Sequence, residues 1–135
     1  MVTFEYHVNQ AKFNEGLIIK WLNEVVNKEN RELGPLSVIL GSDEWLLYYN
    51  KHYLKHDFYT DIITFDYSIN ALVSGDLLIS YERVIDNAHR LNVSRETELY
   101  RVIVHGVLHL CGYKDELPSD KEIMRNKEDY YLKLL

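Results

Sequence analysis

The sequence predicts an α+β fold, with a central mixed β-sheet of about four strands and helices around it. Three observations carry this prediction. Short β-like stretches alternate with helical stripes through the first half of the chain. From about residue 81 onward, every apolar pattern has helical period. Glycine and proline are scarce, at 6 and 2 residues, so most connections must be short.

Each element has its own signal. "VTFEYHV" alternates with period two and reads as a strand over 2–8. Leu17, Ile18, Trp21, Leu22, Val25 and Val26 recur at helical spacing, with Asn14 as N-cap. "LSVIL", 36–40, follows Gly34-Pro35 and reads as a buried strand. Ser42 caps a second helix, "SDEWLLYYNKHYL". "DIITFDY", 61–67, is β-branched and aromatic, and "GDLLIS", 75–80, is a further strand. These two are expected to pair antiparallel, whereas the first two strands, joined through a helix, are expected to be parallel. Val84, Ile85, Ala88 and Leu91 make a helical stripe over 81–91. Ser94 caps a helix running to Cys111, with Gly112 just past its end. Ser119-x-x-Glu122 reads as a capping box for a final helix, with Ile123, Lys127, Tyr130, Tyr131 and Leu134 on one side. Trp21 and Trp45 sit on apolar stripes and are expected in the core.

Composition narrows the function. A chain of 135 residues, 47% apolar and 27% charged, fits one globular domain over 1–135. "MVTFEYHVNQ" lacks the basic start and apolar run of a secretory leader, and no stretch reaches membrane-spanning length. Cys111 is the only cysteine, so no internal disulfide can form. A cytoplasmic chain without membrane partners is expected. The net charge of −6 excludes a generally basic nucleic-acid binder, so any RNA contact must be concentrated in a patch and sensitive to salt.

The chemistry concentrates in "VIVHGVLHLCGYKDE", residues 102–116. On a strand, His105 and His109 would lie roughly 13 Å apart, too far to share one ion. On a helix, positions i and i+4 lie about 6 Å apart on one face. The helix is apolar nearly all round, so it is expected to be internal. Buried imidazoles need partners, and an ion supplies one to both. Gly112 falls seven residues after His105, and Asp115 ten. This is the H-x-x-x-H-x-x-G-x-x-(H/D) spacing of a metzincin-like, helix-borne metal site. His105, His109 and Asp115 are therefore the candidate zinc ligands, one ion per chain, with Glu116 or water as the alternative third ligand. Three protein ligands leave a fourth position open for water, as in catalytic sites. The general base of H-E-x-x-H proteases is missing, because Gly106 stands in its place. That argues against a peptidase and leaves other metal-dependent hydrolysis open.

"HGVLHLCGYKD" strongly resembles the signature H-G-x-L-H-L-x-G-Y-D-H of the YbeY family of bacterial metal-dependent endoribonucleases. "TDIITF" (60–65) is similar to the family's T-D-V-L-S-F, and "GDLLIS" (75–80) to its G-D-I-x-I-S. Met124 and Glu128 also fall where the family tends to carry Met and Glu. The resemblance implies a helix-borne metal at the floor of a cleft. It also implies single-stranded RNA and rRNA precursor as substrate, with the ribosome or ribosomal proteins as partners. Two departures stand out. Lys114-Asp115 replaces the family's Asp-His, so a carboxylate would replace an imidazole at the metal. Leu54 stands where the family usually has Arg.

Other residues have weaker signals. "KHYLKH" (51–56) is basic and aromatic, which suits phosphate contact by Lys51 and Lys55 with a base stacked on Tyr53. A solvated helix face is the plainer reading. Asp61 and Asp76 are candidates to orient a ligating histidine, or else close strand ends. His7 and His89 have no partner signal, and Cys111 reads as core. For the proton acceptor, Glu116, metal-bound hydroxide and a ribose 2′-OH nucleophile all remain open. An assembly factor that binds the ribosome around a structural metal is the non-enzymatic alternative.

Overall fold

Short polar side chains start four of the helices in the computed structural model, which describes residues 1–9 and 11–135. Asn14, Ser42, Ser80 and Ser94 each accept the N–H three residues on, at 3.0 to 3.1 Å. They open α1 (Glu15–Lys28), α2 (Asp43–Tyr53), α3 (Tyr81–Leu91) and α4 (Arg95–Leu110). The strands are β1 (Val2–Tyr6), β2 (Glu32–Gly41), β3 (Ile62–Asp66) and β4 (Leu72–Ser80). The final helix is α5 (Pro118–Leu132).

The strands form one mixed sheet in the order β1-β2-β4-β3. β1 and β4 run parallel to β2, and β3 pairs antiparallel with β4, as the connections predict. β2 is longer than expected and runs straight through Gly34-Pro35. Its register with β4 shifts between Leu33 and Leu36. Proline has no N–H for the ladder, so an inner strand tolerates it only at such an irregularity. The Pro35 carbonyl instead accepts the Ser74 hydroxyl at 2.6 Å.

The two faces of the sheet differ. One carries the main core, in which Val38, Leu40, Leu77 and Ile79 meet Ile18 and Leu22 of α1 and Ile103 and Val107 of α4. The other carries a small cluster of Leu46, Ile63 and Leu78 beneath α2. Trp45 belongs to this second side, so it is half-buried and not a member of the main core. Its ring stacks on His7 at 5.6 Å.

α5 also corrects the sequence reading. Its inward residues are Met124, Glu128 and Tyr131, while Ile123 and Tyr130 are exposed. The helix begins at Pro118, not at a Ser119 cap. Asp120 supplies the returning carboxylate, accepting the Leu117 N–H at 3.3 Å.

Candidate metal centre

α4 is hydrophobic on most sides because it lies between the sheet and its neighbouring helices. Gly106 makes the close approach possible. A Cβ there would come within 2.8 Å of both Ile62 and Leu77. The position that carries glutamate in a metalloprotease is thus packed against the sheet, with no room for a side chain.

His105 and His109 turn to the same side of α4. Their Nε2 atoms lie 3.0 Å apart. The helix then ends in a Schellman turn. The Gly112 N–H returns to His109 O at 2.9 Å, and the Tyr113 N–H to Leu108 O at 3.1 Å. Gly112 has φ +106°, which only glycine adopts without strain. The reversed chain brings Asp115 Oδ2 to 3.3 Å from His105 Nε2 and 3.4 Å from His109 Nε2.

The other ring nitrogens decide what these atoms can do. His105 Nδ1 lies 2.6 Å from Glu128 Oε2, and His109 Nδ1 lies 2.8 Å from the Tyr113 carbonyl. Both partners can only accept, so both Nδ1 atoms donate. Neutral rings held this way point bare Nε2 lone pairs at one another and at a carboxylate. Three facing lone-pair donors repel unless a cation or proton lies between them. The edges of 3.0, 3.3 and 3.4 Å also fit the chemistry of zinc. Four ligands at about 2.0–2.1 Å in a tetrahedron lie roughly 3.3–3.4 Å apart. Among the described residues, these three form the group of His, Cys, Asp and Glu side chains able to hold an ion.

A cleft of 360 Å³ opens beside the cluster, lined among others by Asp61, Glu98, Arg101, Lys121, Arg125 and Glu128. Arg101 is committed within it, bonding Glu128 at 2.9 Å and Asp129 at 2.7 Å. Burial opposes charge on His105, yet the Glu128, Asp115 and Asp61 carboxylates raise its pKa above the ordinary value. Burial raises Asp61, and it raises Glu98 with help from Asp61. Burial also pushes the Cys111 thiol up to about 11, which suits a core residue.

The predicted site residues separate accordingly. His105, His109 and Asp115 come together, with Asp61 in the adjoining cleft. Asp76 does not join them. It lines a groove on the other sheet face, where its carboxylate accepts the Tyr67 hydroxyl at 3.1 Å. Tyr53 lines that same groove, stacked on Tyr49, while Lys51 and Lys55 are exposed near the end of α2. Glu116 is exposed and does not line the cleft. Orienting roles for Glu128 and the Tyr113 carbonyl, and the cleft cations Arg101, Lys121 and Arg125, were not read from the sequence. Glu128 had a signal in its family position. The backbone carbonyl had none.

The family described as Endoribonuclease YbeY matches residues 3–135. The chain belongs to the YbeY family. It is 46% identical over 129 residues to Endoribonuclease YbeY of Flavobacterium johnsoniae, spanning 96% of this chain and 93% of that one. It is 49% identical over 115 residues to that of Cytophaga hutchinsonii, spanning 84% and 80%. A Thermotoga maritima protein solved in solution shares the fold, with TM-score 0.70 and 26% identity over 98% of this chain and 87% of that one. Leu54 is the exposed C-cap of α2.

Proposed function

We propose that the chain is a zinc-dependent endoribonuclease that cleaves single-stranded RNA in rRNA maturation and ribosome quality control. Its family makes it a hydrolase of RNA phosphodiester bonds. The observation that carries the metal is the facing of two bare imidazole nitrogens and one carboxylate oxygen. His105, His109 and Asp115 would hold the ion, which would supply Lewis-acid chemistry and lower the pKa of a bound water.

The chain's own groups divide the remaining work. Glu128 and the Tyr113 carbonyl fix both rings in the tautomer that presents Nε2. Asp115 adds a negative charge where the family has a neutral ring, which weakens the pull on electrons at the centre. Lys121 and Arg125 stand exposed at the cleft and meet the RNA phosphates. Asp61 and Glu98 are carboxylates of the same cleft and are the candidate proton carriers there. Lys51 and Lys55, with Tyr53 as a stacking face, form an outlying patch for flanking nucleotides. With a net charge of −6, such local cations make RNA binding salt-sensitive. The proposed partners are rRNA precursor and the ribosome with its proteins, and the proposed location is the cytoplasm. No described helix is long and apolar enough to cross a membrane.

The test is metal content by mass spectrometry, together with cleavage of a short single-stranded RNA, for wild type and His109→Ala. About one zinc per chain, lost with cleavage in His109→Ala, is the expected result. A folded wild type, never exposed to chelator, that holds no metal would sink the zinc reading. Metal retained without cleavage, with ribosome co-sedimentation, would turn the reading to an assembly factor.

A further inference from the structure

His109 is oriented by a main-chain carbonyl, and a carbonyl is only as fixed as the residue that carries it. Tyr113 is anchored from far along the chain. Its hydroxyl donates to Glu29 Oε1 at 2.6 Å across 84 residues of sequence. Glu29 is the C-cap of α1, and its side chain is only 9% exposed. Its second oxygen accepts Lys127 Nζ at 3.1 Å and also the Tyr131 hydroxyl. Burial works against its charge, but these three donors hold the carboxyl below its ordinary pKa. Two residues on, Arg31 donates to the Cys111 carbonyl at 3.0 Å. The ligand loop is thus tied to the end of α1 on both sides of Gly112.

We propose that Glu29 is a positioning residue for the metal: by holding the Tyr113 hydroxyl it fixes the Tyr113 carbonyl, and through it the tilt and tautomer of His109. This rests on the metal reading above. A buried carboxylate that merely tied α1 to α5 would need Lys127 and Tyr131 alone. The short bond to Tyr113 reaches into the turn between the two histidines' helix and Asp115. Its donor belongs to the same residue whose carbonyl His109 Nδ1 contacts.

The experiment compares wild type, Glu29→Gln, Tyr113→Phe and the double variant. Zinc affinity is measured by competition with a chromophoric chelator. The His109 tautomer is read in the metal-free proteins from long-range ¹H–¹⁵N couplings. Each single variant is expected to bind zinc about tenfold more weakly, the scale of a lost orienting partner. The double variant should be no weaker than the singles, because both changes cut one path. The share of the His109 Nδ1–H tautomer should fall in all three. Tyr113→Phe keeps ring and carboxylate, so it serves even where Glu29→Gln folds poorly. Zinc affinity within about twofold of wild type, with His109 still wholly Nδ1–H, overturns the inference even if melting temperature falls. Losses that add to about a hundredfold in the double variant overturn it too, since Glu29 would then act by another route. A wild type that takes up no zinc overturns the metal reading, and this inference with it.

Discussion

The two histidines face one point in space but are held by opposite chemistries. His105 leans on an ionised side chain, Glu128, which is buried on α5 and paired with Arg101. His109 leans on a neutral backbone carbonyl in the turn after α4. The first support carries charge and depends on a distant helix docking correctly. The second carries only a dipole and sits in the turn after the helix, which Tyr113 ties to the end of α1. The His105 side should therefore respond to charge and pH, and the His109 side to loop geometry.

Glu128→Gln is the strongest way to break this contrast. An amide can accept from His105 or from Arg101 with its one oxygen, but not from both with matched geometry. Zinc affinity is expected to fall about 10–100-fold. Stability should fall by about 1–3 kcal/mol, because one buried donor is left unmatched. Competition titration and urea unfolding read the two losses separately. Unchanged zinc affinity would mean that Glu128 serves packing and not His105.

The pH dependence comes next in size. His105 has a raised pKa in the folded, metal-free chain. Its stabilising contribution is fully present below the ordinary histidine value of about 6.5, and it is lost as pH rises through the raised value. The melting temperature of the metal-free chain should include a term that declines in that window. Zinc must displace the same proton, so zinc affinity should rise with pH by up to about tenfold per unit while His105 is charged. A flat affinity between about pH 6 and pH 8 would contradict the charged support.

Arg101→Lys sharpens the comparison with the smallest effect. Arginine serves Glu128 and Asp129 at once, and lysine can serve one of them well. A loss of about 1 kcal/mol in stability is expected, with a few-fold loss in zinc affinity. The His109 tautomer should not change, which nuclear magnetic resonance of the imidazole nitrogens can check.

Spacing within one helix and its turn made the three candidate ligands readable, because His105, His109, Gly112 and Asp115 all obey local geometry. The sheet was readable for the same reason, through alternation and connection rules. What escaped was set by contacts between distant segments. Glu128 lies 23 residues from His105, and no period links them. Its inward turn also explains the misread face of α5. A stripe drawn through Ile123, Lys127, Tyr130 and Tyr131 misses Glu128, whereas His105 and Arg101 draw Glu128 in with Met124 and Tyr131. Asp76 follows the alternation of β4. Leu77 faces Gly106, so its neighbour must face the opposite side. Gly34-Pro35 looked like a boundary, and an irregular register turned it into the middle of a strand.

The position of α5 in the chain also sets an order of events during synthesis. Translation runs from the amino end, so His105, His109 and Asp115 leave the ribosome before the carboxylate that aims His105. A nascent chain that ends before Pro118 owns every proposed ligand and lacks the acceptor for one ring. It would hold a loosely aimed ion trap, and docking of α5 would stiffen it. For a nuclease proposed to cut the RNA of the machine that makes it, that interval separates being made from being armed.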